Sequence, residues 1–206
     1  MKKSLFILVV FYGSLVTGMA QVSESWVLQK NSDSIEVYTK FNPGSEYKSI
    51  RIVAYLRCSF TTLLAQMKDV DSHTLWVSHC VDSKKLATLG DTGMIYYEYY
   101  NFPWPASDRD VVVHVNIHYD PVHKMMMVTQ EGIPSYIPQK LGVVRVPTYH
   151  GSWKFIEEQD GLIHGEYTAS LEPGGDIPAW FINLFAAYGP YDTIKKLKGL
   201  IENKRP

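Results

Sequence analysis

Apolar and polar side chains alternate along most of this chain, as they do in half-buried strands, and give way to helical spacing in two places. Residues 26–30 and 35–41 read as short strands about the turn Asn31-Ser32-Asp33-Ser34. Asn42-Pro43-Gly44-Ser45 then breaks the chain. Residues 47–58 form a longer strand with Ile50, Ile52, Ala54 and Leu56 on one face and Arg51 and Arg57 on the other. Ser59 or Thr61 can cap a helix running through Leu63, Leu64 and Met67, and a second short helical piece spans 70–77. Strands follow over 80–86, 93–102, 110–119, 124–131, 143–157 and 162–171, several separated by tight turns such as Gln159-Asp160-Gly161. The pattern therefore predicts an α+β domain of about nine strands, with two short helices after the third and one long helix at the end.

That last helix is the most informative element. Gly174-Gly175 ends a strand, Asp176 can cap, and Pro178 suits a first turn. Trp180, Leu184, Tyr188, Tyr191, Ile194, Leu197 and Ile201 then recur at spacings of three or four as one apolar stripe. Such a stripe must lie on the sheet. If the sheet is curved, the space between sheet and helix is where a ligand goes. One strand shows its inner side directly: Val111, Val113, Val115 and Ile117 alternate with Val112, His114, Asn116 and His118. In the strand before it, both sides carry large residues. The Tyr97 and Tyr99 side is expected inward, because the other choice buries Glu98 without an obvious partner.

The 206 residues suit one domain, with no internal repeat or linker. Residues 1–20 stand apart: Met1-Lys2-Lys3 is basic, an apolar run follows to Val16, and Gly18-Met19-Ala20 offers small residues for cleavage. This is the pattern of a cleavable secretory signal peptide, so the domain is expected over 21–206, secreted or periplasmic. The run falls short of the ~20 apolar residues of a spanning helix. Without Lys2 and Lys3 the 20 basic residues become 18 against 21 acidic, a net of −3. A mildly acidic surface without a basic stripe argues against nucleic acid. Lys195, Lys196, Lys198, Lys204 and Arg205 complement the dipole of the terminal helix. Cys58 and Cys80 are expected as two unpaired buried thiols.

Catalytic motifs are missing from the sequence. His114 and His118 are four apart on a strand, ~13 Å, too far to share an ion, and no metal-ligand spacing, nucleophile elbow or phosphate-binding glycine loop occurs. No cofactor or metal is expected. Ser107-Asp108-Arg109-Asp110 reads as a turn whose charges fix the start of a strand, or as an ion pair at a pocket mouth. Phe102-Pro103-Trp104-Pro105 reads equally as a core plug or a pocket rim.

Taken in order, Trp76 and Cys80, Tyr96-Tyr97-Glu98, Phe102-Pro103-Trp104-Pro105, Asp108-Arg109-Asp110, Gly142-Val143-Val144-Arg145, Gly151-Ser152-Trp153 and the run from Pro173 to Asn183 closely resemble the START (StAR-related lipid transfer) domain family, over residues 24–203. The central strands and the start of the last helix are most similar to the phosphatidylcholine transfer branch. The resemblance implies a helix-grip fold: a curved antiparallel sheet around the C-terminal helix, enclosing a tunnel for one lipid, with binding and transfer but no covalent chemistry. Gly189-Pro190 would then serve as the hinge of a lid. In that branch a choline sits in an aromatic cage and an arginine holds the phosphate. The cage positions fall on Tyr97, Tyr149 and Val111, and the phosphate position on His73; the buried arginine of sterol-binding branches falls on Val115. Neither headgroup apparatus is complete, so the resemblance implies a less polar ligand.

The expectation is a monomer that binds a lipid or other hydrophobic small molecule and makes transient membrane contact. Tyr97, Tyr99, Val111, Val113, Val115 and Tyr149 are expected in the wall, with Trp180, Leu184 and Tyr188 from the helix. His73 and Arg145 are the expected polar contacts. Two rivals stand beside it. A cyclase- or hydratase-like enzyme needs a buried acid or base in the tunnel, for which Glu98 and His73 are the candidates. An interaction module with a collapsed tunnel needs no void.

Overall fold

The structure is a computed structural model that describes residues 25–104 and 106–203. The leader expected over 1–20 lies outside the described residues. Val27–Ser32 (β1) and Ile35–Phe41 (β2) form a hairpin whose two turn residues, Asp33 and Ser34, both take positive φ (56° and 59°). That is the twist a two-residue hairpin turn requires. Lys48–Arg57 (β3) runs into Phe60–Lys68 (α1), whose start is capped by Ser59 Oγ accepting the Thr62 N–H at 3.1 Å. A single 3-10 turn leads into the short helix His73–Trp76 (α2).

Cys80–Leu89 (β4), Gly93–Tyr100 (β5), Arg109–Asp120 (β6) and Met125–Gly132 (β7) then form a meander. The strand predicted over 143–157 is broken. Val144–Arg145 (β8) pairs in parallel with the start of β6, and Thr148–Glu157 (β9) is a separate antiparallel strand. Pro147 stands at the break; lacking an N–H, it cannot extend a ladder. Leu162–Glu172 (β10) and Ala179–Glu202 (α3) complete the chain. Gly174 and Gly175 turn it from β10 towards α3 with φ of 67° and 63°, a region open to glycine.

The sheet order among the described residues is β1-β2-β3-β10-β9-β7-β6-β5-β4, with β8 beside β6. The last strand thus joins the N-terminal hairpin to the central meander, and the curved antiparallel sheet wraps around α3. Its inner face carries the core: Ile52, Ala54 and Leu56 of β3, Val113, Val115 and Ile117 of β6, and Phe155 of β9 meet Ile194, Leu197 and Ile201 of α3. Burial of each branched or aromatic side chain among them contributes roughly 1.5–3 kcal/mol. Gly165 lets Phe155 lie flat on β10, since a Cβ there would meet the ring at 2.9 Å.

Two expectations about α3 are corrected. Asp176 does not cap it; the chain enters the helix at Pro178 with no side-chain cap. The apolar stripe also does not share one face. Tyr191, Ile194, Leu197 and Ile201 are buried, whereas Trp180, Leu184 and Tyr188 are 65%, 50% and 56% exposed. The C-terminal half beds on β2 and β3, while the N-terminal half crosses the open mouth of the sheet and turns Phe181 and Phe185 inward instead. Cys58 is half-buried and Cys80 buried, both as free thiols, and burial pushes them up to about 11 and about 12.

Candidate functional site

Between the inner sheet face and α3 lies a cavity of about 300 Å³. Its floor is aliphatic and aromatic, including Ile52, Val111, Val146 and Trp153; Ile182, Phe185, Ala186, Gly189 and Pro190 of α3 form its roof. At the rim, Phe102 and Ala106 pack against Ile177, Phe181 and Phe185 at the start of α3. The start of the roof thus packs on this small apolar cluster.

One wall is polar. His73 Nδ1 and Glu98 Oε1 lie 2.6 Å apart, both nearly buried, and the second carboxylate oxygen accepts from the Tyr100 hydroxyl. The imidazole packs edge-on against Trp76 and Tyr96. Beside this group runs a chain of neutral polar side chains. Gln130 Nε2 donates to Tyr96 Oη (3.1 Å), Tyr149 Oη donates to Gln130 Oε1 (3.0 Å), and Tyr149 and Tyr167 hydroxyls meet at 2.6 Å. Burial raises the Tyr96 and Tyr149 hydroxyls well above the ordinary tyrosine value and Tyr167 to about 12, so these three hydroxyls keep their protons at neutral pH.

The rim carries one buried cation. Arg109, on the cavity wall, donates to the carbonyls of Ser107 (2.6 Å), Gly174 (3.2 Å) and Pro173 (3.3 Å) and meets no carboxylate among the described residues. Desolvation lowers its pKa. It fastens Ser107, just before β6, to the Pro173–Gly174 turn that leads from β10 towards α3. The charge cluster read in the sequence therefore divides its work: Asp108 accepts from Tyr99, Asn101 and the Phe102 N–H, while Asp110 binds Arg145.

The START domain profile matches residues 14–205. The chain belongs to the START domain family. It is 32% identical over 183 residues to an uncharacterized protein of Pseudomonas aeruginosa, covering 89% of this chain and 90% of that one. It is 24% identical over 190 residues to the phosphatidylcholine transfer protein of Rattus norvegicus, covering 89% and 87%. Among solved structures, a STAR-related lipid transfer protein from Xanthomonas axonopodis superposes with a TM-score of 0.79 at 28% identity, over 86% of this chain and 98% of that one. Human STARD10 shares the fold at 17% identity, with a TM-score of 0.74 over 87% and 74%.

This START domain places the expected site residues unevenly. His73, Val111 and Tyr149 lie on the cavity wall. Val113 and Val115 face the same side but belong to the packed core. Tyr97 and Tyr99 are corrected to the outer face. There Tyr97 packs with Ile95 and Val112 under Ile133 and Ile137, with Lys140 Nζ 4.6 Å and Lys84 Nζ 5.3 Å from its ring centre. Arg145 is corrected as well: it grips Asp110 at 2.6 Å and the carbonyls of Pro134, Ile137 and Pro138, holding down the outer segment after β7. Trp180, Leu184 and Tyr188 point away from the cavity, as described above. The residues that replace them in the START domain wall, Tyr96, Tyr100, Gln130 and Tyr167, occupy inward positions of β5, β7 and β10. The alternation of β5 offered Tyr96 and Tyr100, but on the side that the sequence reading passed over in favour of Tyr97 and Tyr99.

Proposed function

We propose that this START domain binds one lipid or other hydrophobic small molecule between the inner sheet face and α3, and passes it between membranes without covalent change. The observation that carries the reading is the cavity itself: about 300 Å³, mostly apolar, and roofed by the half of α3 that the sheet does not hold. This is at the low end of the ~300–1,000 Å³ of small-molecule sites, so a two-chain lipid needs the roof to lift. The names of the rat and Xanthomonas relatives, a phosphatidylcholine transfer protein and a STAR-related lipid transfer protein, support the same reading. With Tyr97 outside and Val111 aliphatic, Tyr149 is the one aromatic left at the cage positions, which favours a headgroup less polar than phosphocholine.

The roof has the build of a lid. Pro190 interrupts the hydrogen bonding of α3, and Gly189 beside it adds no side chain. Beyond that point the helix is tied down: Asp33 binds Lys195 at 2.9 Å and also accepts from Tyr191. Before it, polar fastening among the described residues comes from Asn183, which bonds Lys48 N (2.9 Å) and Glu46 O (3.0 Å), and from Arg109, which holds the carbonyls of Pro173 and Gly174 ahead of the helix. The exposed Trp180, Leu184 and Tyr188, with Trp104 (91% exposed) on the packed-on rim segment, offer an aromatic surface at the mouth suited to a bilayer interface. The leader pattern of residues 1–20 supports action outside the cytoplasm.

The enzyme reading has one observation in its favour, the His73–Glu98 pair on the cavity wall. Both oxygens of Glu98 are already engaged, however, which supports binding over proton transfer. The test is saturable uptake of an alkyl-chain fluorescent probe by delipidated protein. One probe per chain is expected, and unsaturable partition would contradict the proposal.

A further inference from the structure

We infer that the ligand carries a carbonyl oxygen, an ester or amide on an otherwise apolar body, and that Tyr96 and Gln130 receive it. The inference rests on the lipid-binding reading and narrows it. The hydroxyls of Tyr96, Tyr149 and Tyr167 and the amide of Gln130 own five O–H and N–H donors between them. Three are consumed within the chain of bonds that links them. Two are therefore left without an acceptor among the described residues, whichever way the amide is turned. In the arrangement observed they are the Tyr96 O–H and the second Gln130 N–H, on groups 3.1 Å apart. Trp76 adds a third: its Nε1 is buried with no partner, on a residue that lines the same cavity beside His73. The nearby Glu98 carboxylate bonds His73 through one oxygen and Tyr100 through the other, and takes none of these donors among the described residues.

Buried donors left unpaired are costly, and native interiors leave few of them. A carbonyl oxygen has two lone pairs and no proton, so it can satisfy two donors at once. A hydrocarbon of equal length satisfies none. The placement is built in by the backbone: a Cβ at residue 151 would sit 2.6 Å from Gln130 Oε1 and 2.8 Å from Tyr149 Oη, so Gly151 is what lets the chain of hydroxyls and amide lie close on β9. A site made to hydrogen-bond one group discriminates strongly against the analogue that lacks it.

The experiment is displacement of a bound fluorescent alkyl probe by three competitors of one chain length, delivered from cyclodextrin: a fatty-acid methyl ester, the N-methyl amide and the alkane. The wild-type protein should bind both carbonyl compounds about tenfold more tightly than the alkane. Tyr96→Phe and Gln130→Met should each shrink that advantage to about threefold or less, through weaker binding of the carbonyl compounds, tighter binding of the alkane, or both. Equal binding of alkane and ester by the wild type, or an undiminished gap in both variants, overturns the inference and leaves lipid binding standing. If the probe itself never binds, the lipid-binding reading falls and this inference with it.

Discussion

Glu98 shows how a single residue decides the orientation of a strand. The sequence argued for Tyr97 and Tyr99 inward because a buried carboxylate needs a partner. The requirement was sound, but the partner, His73, lies on a helix 25 residues earlier, where no local pattern could reveal it. The pair is predicted to be energetically coupled. Glu98→Leu alone should cost about 3 kcal/mol, because it strands the imidazole and the Tyr100 hydroxyl. Adding His73→Phe should then cost less than its effect on the wild type, with a coupling of at least about 1 kcal/mol in urea unfolding. Strict additivity would show that the two side chains do not act as a unit. Val111 was legible because it sits on a strand of clear alternation, whereas Tyr149 was reached only through the family resemblance. Arg145 was not legible, since a lone arginine says nothing of whether it meets a ligand or, as here, an aspartate and three carbonyls.

Among the elements, α3 was foreseen in extent but not in facing. Spacings of three and four define a stripe, yet a helix that lies on a sheet at one end and across a mouth at the other changes its buried face along its length. The two halves should answer differently to the same truncation. Leu197→Ala, at a fully buried site, should lose roughly 3 kcal/mol, whereas Leu184→Ala should stay within about 0.5 kcal/mol. Pro190→Ala restores a backbone donor inside the helix; it should raise the Tm and slow release of bound probe in stopped-flow measurements. A higher Tm with unchanged release would place the bending elsewhere. The split of 143–157 into β8 and β9 was marked in the sequence by Pro147, and a proline inside a predicted strand is a reason to divide it.

At the scale of the molecule, the buried tyrosines of the polar wall tie stability to alkaline pH. Their folded pKa values are raised, so the neutral form is favoured in the folded state, while unfolding returns them to about 10. The contribution is therefore complete below about pH 10 and lost as pH climbs towards 12, the value reached by Tyr167. Unfolding free energy measured across that window should fall steeply in the wild type and less steeply in Tyr149→Phe/Tyr167→Phe. The mouth belongs to the same scale: Trp104→Ala with Trp180→Ala should weaken flotation with phospholipid vesicles while leaving the Tm unchanged, since both side chains are exposed. Most direct of all is native mass spectrometry of the intact domain purified without added detergent, followed by extraction of what it carries. One hydrophobic molecule per chain, recovered intact, is the predicted result. Protein that stays empty after expression in several hosts and after incubation with lipid would contradict the account at its centre.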